Sequence, residues 1–236
     1  MNSVGISRLA WAATLALVVG NARGDEPKKP AAADATRALA PLQVCVGSWR
    51  GVGQPKRGSN QGAWTEECDF EWQFPDTGSQ LVARLRENPY YSELRFKPGM
   101  ADGQYVLEAV PVDSNGAVQL FVGRRENGAF VFTTDARQEG RPARITFRLA
   151  AGGDRLLTLF EKPQGASLVR LAEVGATRQG SSFAKNARSG PECIVTGGLG
   201  TIAIEYKGKK YFVCCGGCRD YFLENAEAVL AERAAK

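Results

Sequence analysis

The chain has 236 residues, with 30 lysines and arginines against 25 acids, a net charge of +5, 44% hydrophobic residues and 23% charged ones. That is a globular balance, long enough for one large or two modest domains, and too mildly basic to point to nucleic acid or an anionic membrane surface. There is no histidine, which excludes Ser-His-Asp and Cys-His triads, histidine acid–base chemistry, haem on a proximal histidine and histidine-containing zinc sites. Six cysteines and two methionines, Met1 and Met100, are the soft ligands that remain, so the chemistry open to this chain is cysteine chemistry.

Arg8 precedes an apolar stretch from Leu9 to Gly20, and Ala22-Arg23-Gly24 supplies small residues after it. This order is that of a secretory signal peptide over residues 1–24. The apolar stretch is short for a bilayer span, so the reading is export to the periplasm or beyond, without stable membrane insertion. Cleavage after Gly24 removes Arg8 and Arg23 and no acid, and lowers the charge from +5 to +3. Residues 25–41, rich in Ala, Pro and Lys, read as a linker.

Residues 42–185 read as all-β. Turn signals recur at Asp76-Thr77-Gly78, Lys97-Pro98-Gly99, Asn115-Gly116, Asn127-Gly128, Glu139-Gly140, Gly152-Gly153-Asp154 and Gln164-Gly165, and Asn-Gly is a strong hairpin sign because both residues tolerate positive φ. Between them the period is two. Ile145, Phe147 and Leu149 share a face, as do Val118, Leu120 and Val122, and Ala83 and Leu85 oppose Arg84 and Arg86. Eight to ten strands joined by short hairpins predict an antiparallel meander, whose edges are best removed by closure into a barrel. Asn88-Pro89-Tyr90-Tyr91, with Trp64 and Trp72, supplies aromatic residues for the core or for a barrel mouth. No carboxylate pair stands out as an acid–base couple. Thr196-Gly197-Gly198-Leu199-Gly200 is followed by a strand, not the helix a phosphate-binding loop needs.

The stretch opens with Val46-Gly47-Ser48-Trp49, and its last strand contains Glu173-Val174-Gly175-Ala176-Thr177-Arg178. Here it resembles the lipocalin-like (calycin) barrels, whose first strand carries Gly-x-Trp with the indole across the barrel floor. The resemblance implies a small antiparallel barrel, either filled by its own side chains or holding an apolar small molecule.

The C-terminal residues 190–236 carry the cysteine signal. Cys193, Cys214 and Cys218 stand at C-x20-C-x3-C spacing, and Cys215 adds a fourth thiol at C-x2-C spacing from Cys218. Ile202, Ile204 and Tyr206 alternate with polar positions, Lys207-Gly208 makes a turn and Tyr211-Phe212-Val213 returns. A helix follows, with Cys218, Phe222, Ala226, Val229 and Leu230 on one face. The hairpin brings Cys214 back towards Cys193 and the helix start places Cys218 beside it, as a compact thiolate site requires. Neighbouring strand residues face opposite ways, so Cys214 and Cys215 share one ion only where the strand has ended.

Glu192-Cys193-Ile194-Val195-Thr196-Gly197, Tyr206-Lys207-Gly208-Lys209-Lys210-Tyr211-Phe212-Val213-Cys214 and Cys218-Arg219-Asp220-Tyr221-Phe222 together resemble the TRASH/YHS family of small treble-clef-like metal-binding modules. The resemblance implies Cys193, Cys214 and Cys218 as ligands. Many relatives have proline where Ile194 stands, and the extra Cys215 leaves the ligand set open. Zinc suits three or four thiolates and Cu(I) two or three, so zinc is the expected ion and copper the alternative. Lys209, Lys210 and Arg219 are available to offset the thiolate charge.

Even cysteine counts in exported chains also predict disulfides. Cys45 and Cys68 flank the first strand and its return, and a bridge there would contribute about 3 kcal/mol. For the other four, two bridges compete with a metal. So does a redox-active Cys215/Cys218 pair, which would make the protein a thiol-disulfide oxidoreductase; a third reading is a ligand-binding barrel with a purely structural cysteine module. The preferred expectation is a non-catalytic, exported metal binder, mainly β, with a lipocalin-like barrel followed by a small α+β cysteine module.

Overall fold

The computed structural model describes residues 32–113, 115–135, 138–179 and 190–234. The expected signal peptide and residues 25–31 of the expected linker lie outside them. Ten strands follow one another as hairpins: β1 (Gly47–Gln54), β2 (Trp64–Gln73), β3 (Gln80–Arg86), β4 (Tyr91–Pro98), β5 (Gln104–Pro111), β6 (Gln119–Glu126), β7 (Ala129–Thr133), β8 (Arg144–Ala150), β9 (Arg155–Gln164) and β10 (Ser167–Arg178). Each pairs antiparallel with the next, and β10 returns to β1 with Trp49 opposite Arg178, so the barrel closes without a free edge. The Asn127-Gly128 loop has φ of 48° and 76°, which matches the twist of the strands it joins.

Alternation decides what fills the interior. β2 buries Glu66, Cys68, Phe70 and Trp72, and β8 buries Ile145 and Phe147. Phe96 makes edge contacts with Phe132 and Phe147, both at 5.5 Å between ring centres, and stacks near Phe70 at 6.0 Å. The space left between Glu66, Cys68, Thr158 and Phe160 has room for about one water molecule. Val118, just before β6, and Leu120 and Val122 on it do share a face, and it is the outer, exposed one. Phe121 takes the interior position instead, beside Gln119, which is 1% exposed. That buried amide is satisfied: the Tyr91 hydroxyl donates to its oxygen at 2.6 Å and its nitrogen donates to the Pro142 carbonyl at 2.9 Å.

Residues 32–41, expected as part of a linker, are instead ordered secondary structure. They form helix α1 (Ala32–Leu39) and the start of a 3-10 turn, Ala40–Cys45. The alanines that suggested a tether are good helix formers. Ala35, Leu39 and Leu42 recur at helical spacing and are all buried, with α1 packed on β3 and β4.

One end of the barrel is closed around Trp49, which is fully buried. Its indole N–H donates to the Cys45 carbonyl at 2.8 Å, and the Arg178 guanidinium lies 4.2 Å from its ring centre. Arg178 also donates to the carbonyls of Val44 and Val46, joining the last strand to the chain that enters the first. At the other end Trp64 meets Tyr90 edge-on at 6.3 Å. There Glu66 accepts from Asn88 at 2.6 Å and from Trp64 at 3.1 Å, and Asn88 in turn accepts from the backbone N–H groups of Tyr90 and Tyr91. Trp72 does not join this mouth; it stands at the opposite end of β2.

Burial raises the Glu66 carboxyl above its ordinary range, against the two hydrogen bonds that favour its charged form. Because the folded state holds this proton more tightly than the unfolded one, stability at this position is lost as pH rises from the unfolded pKa through the folded one. Glu66→Gln therefore stabilises the barrel near neutral pH, and the gain shrinks on going to about pH 3, where both states are protonated. Urea unfolding of the variant and the parent at the two pH values reads the difference.

Candidate metal centre

The C-terminal module is built from β11 (Ile202–Tyr206), β12 (Lys209–Val213) and α2 (Gly216–Ala234). The hairpin has the expected register, with Tyr206 opposite Lys209 and positive φ at Lys207 and Gly208. Phe222 on α2 is fully buried against Tyr206 and Tyr211, with ring centres at 5.7 and 5.3 Å. It anchors a small apolar core with Ala226 and Val229.

Three local structures deliver the sulfurs. Cys193 heads a tight turn in which its N–H donates to the Gly198 carbonyl at 2.6 Å and its carbonyl accepts from Gly197, where φ is 78°. The Ile194 N–H donates to the Phe212 carbonyl at 2.9 Å, a bond that proline at this position could not make. Cys214 and Cys215 follow the last residue of β12, so the alternation that would separate them has ended. Cys218 lies in the first turn of α2, which opens with the Arg219 N–H donating to the Cys215 carbonyl.

The sulfurs of Cys193, Cys214 and Cys218 all lie within 4.8 Å of one another, and all three residues are buried. Cys214 and Cys218 are 3.5 Å apart, and the Cys215 sulfur is 4.0 Å from that of Cys214. Zinc–thiolate bonds of about 2.3 Å in a tetrahedron place sulfurs about 3.8 Å apart, so the observed separations bracket what one ion requires. Thr196 stands 3.5 Å from the Cys214 sulfur through its hydroxyl. The backbone N–H groups of Trp72 (3.3 Å) and Cys218 point to the Cys215 sulfur.

The thiols share their protons unequally. Donation from Cys214 and Cys218, aided by Thr196, draws the Cys193 thiol down, and the same two cysteines with the two backbone N–H groups draw Cys215 down. Cys214 and Cys218 are pushed up, first by their contact with Cys193. A soft cation entering the cluster displaces those retained protons, so its affinity falls in acid. The three cations available from the sequence do not form the charge offset. Arg219 pairs with Asp220, Lys210 lies over the Phe212 ring and Lys209 is exposed. The positive end of α2 stands at the cluster instead.

Cys45 and Cys68, the pair expected to form a bridge, stand as buried thiols in this structure. Cys45 lies in the 3-10 turn beneath Trp49, and Cys68 points into the barrel opposite Trp49. Both act as small buried apolar groups, and burial raises Cys45 to about 12 and Cys68 well above its usual range. The other four cysteines are likewise unbridged.

Four supporting residues were not anticipated. Arg233, near the end of α2, donates to the carbonyls of Cys193 and Ile194 at 2.9 and 3.0 Å and pairs with Glu192 at 2.9 Å, clamping the first ligand turn. Gln43, with its amide oriented to satisfy both groups, donates to Thr196 and accepts from the Gly198 N–H at 3.2 Å. Trp72 offers its backbone N–H, and Gly217 lies against the Trp72 carbonyl. Only the Gly216-Gly217 pair before Cys218 carried a readable sign, since glycine marks close backbone approach.

No protein-family model matches the chain, and no curated protein matches it. Among solved structures, Rv2717c from M. tuberculosis aligns with a TM-score of 0.38 and 16% identity, over 60% of this chain and 97% of that one; a likeness at that level carries no argument about function. Among the described residues no helix is long and apolar enough to cross a membrane.

Proposed function

We propose that this protein is an exported, non-catalytic binder of one soft metal ion, zinc in the first place and copper(I) in the second. Cys193, Cys214 and Cys218 hold the ion and Cys215 completes the set, for metal sensing, carriage or stabilisation of the module. The observation that carries the reading is the convergence of three buried sulfurs, from a turn, a strand end and a helix start, within 4.8 Å. Three mutually close thiolates, with the Cys215 sulfur 4.0 Å from that of Cys214 as the available fourth, favour zinc. The leader-like residues 1–24 support export to the periplasm or beyond.

Exchange chemistry at Cys215/Cys218 would need a sulfur accessible to a partner disulfide, whereas these residues are 6% and 0% exposed. The barrel, filled largely by its own side chains, serves in this reading as the platform for the module.

Cobalt(II) titration tests the proposal, because tetrahedral thiolate coordination gives intense visible bands with a sulfur-to-metal charge-transfer band. The expected result is saturation at one ion per chain and displacement by zinc. Weak bands from an octahedral oxygen environment would refute it.

A further inference from the structure

Resting on that metal reading, we infer that release of the ion is gated by undocking of α2 from the end of β2, so that the barrel controls how long the metal is held. The starting point is a gap in the strand pairing. β1 and β2 pair as far as Gly47 opposite Phe70, and no β1 partner extends to Trp72, two residues further on. Strand residues two apart direct their backbone groups the same way, so the Trp72 N–H and C=O face the edge that β1 has left.

The module fills that edge. The Trp72 N–H donates to the Cys215 sulfur at 3.3 Å. Gly217 lies so close to the Trp72 carbonyl that a Cβ there would stand 1.6 Å from the oxygen. Beside this seam Phe74, just past β2, stacks on Tyr221 of α2 at 4.2 Å. Gln43 holds the Thr196–Gly198 turn from the other side. The cysteines belong to the same buried cluster as the barrel core, and none of the four is more than 7% exposed.

Two consequences follow for an ion in this cluster. Thiolate ligands leave a metal by exchange with an incoming ligand or by protonation, and the docked barrel blocks the approach to both. The Trp72 N–H also favours the charged form of Cys215, as outer hydrogen bonds to metal ligands do, and loss of such a partner typically costs about 10–100-fold in affinity. Undocking removes the cover and the hydrogen bond together.

The test is zinc transfer from the full-length protein to a chromogenic chelator. In the parent protein the rate reaches a plateau as chelator increases, because undocking and not chelator attack sets it. Tyr221→Ala and Gln43→Ala, which leave all four cysteines in place, still load one zinc per chain and release it about tenfold faster or more. Gly217→Ala gives the larger acceleration if it folds, and the other two variants decide the matter if it does not. Release from Tyr221→Ala and Gln43→Ala at the parent rate overturns the gating inference while one zinc per chain leaves the metal site standing. Failure of the parent protein to load any ion overturns the metal reading, and this inference with it.

Discussion

Serine at Cys193 is expected to abolish stoichiometric metal binding and to leave residues 190–234 without a stable fold. The module's buried apolar set is small, built round Phe222, Ala226 and Val229. A unit of that size needs a staple to offset its chain entropy. Structural zinc supplies on the order of 10–16 kcal/mol to small thiolate domains at neutral pH, far more than this core can. Cys193 is the sulfur that ties the first turn to the hairpin and the helix, so its loss removes a ligand and the closure of the turn together. The helix signal in circular dichroism should fall in the variant and in the parent treated with a strong chelator, while the barrel's near-ultraviolet signal persists. A variant that keeps both its metal stoichiometry and its helix signal would show that Cys193 is not a ligand.

Trp49→Ala is expected to cost about 3–5 kcal/mol of barrel stability, the range for truncating a fully buried tryptophan. Against a typical total of about 5–15 kcal/mol, that brings the barrel close to its folding limit. Three interactions are lost at once: the packing of a ring with no exposed surface, its N–H bond to the Cys45 carbonyl at 2.8 Å and the Arg178 guanidinium 4.2 Å from its centre. Arg178 is also the strut from β10 to the Val44 and Val46 carbonyls, so its displacement loosens the closure. Trp49→Phe keeps a ring for Arg178 and leaves the buried Cys45 carbonyl without its donor, a cost of about 1–3 kcal/mol. Urea denaturation curves of the two variants should therefore fall in that order below the parent.

The sequence was most legible where period and turn chemistry agree. Asn127-Gly128 and Lys207-Gly208 both mark two-residue hairpins, and the helix carrying Cys218, Phe222, Ala226 and Val229 buries those four residues. A period of two in a strand, however, does not say which face is inward. Val118, Leu120 and Val122 lie outside because Phe121 fills more of the interior and Gln119 finds partners there. Alanine-rich composition was equally ambiguous between tether and helix, and burial against β3 and β4 decided for α1. The cysteine spacing located Cys193, Cys214 and Cys218 together, and the end of the strand leaves the Cys215 sulfur 4.0 Å from that of Cys214. What spacing could not reveal was the surface on which the cluster rests. Trp72 is 143 residues from Cys215 in the chain, and its N–H can reach that sulfur only because β1 ends early.

Intact-mass measurement of the protein recovered from an exporting host, first under non-denaturing and then under denaturing conditions, tests the metal account most directly. The account predicts one zinc- or copper-sized increment per chain that disappears on denaturation, with Cys193, Cys214, Cys215 and Cys218 all recovered as thiols. A chain without any ion, lighter by the hydrogens that two disulfides among those four cysteines would remove, would contradict it.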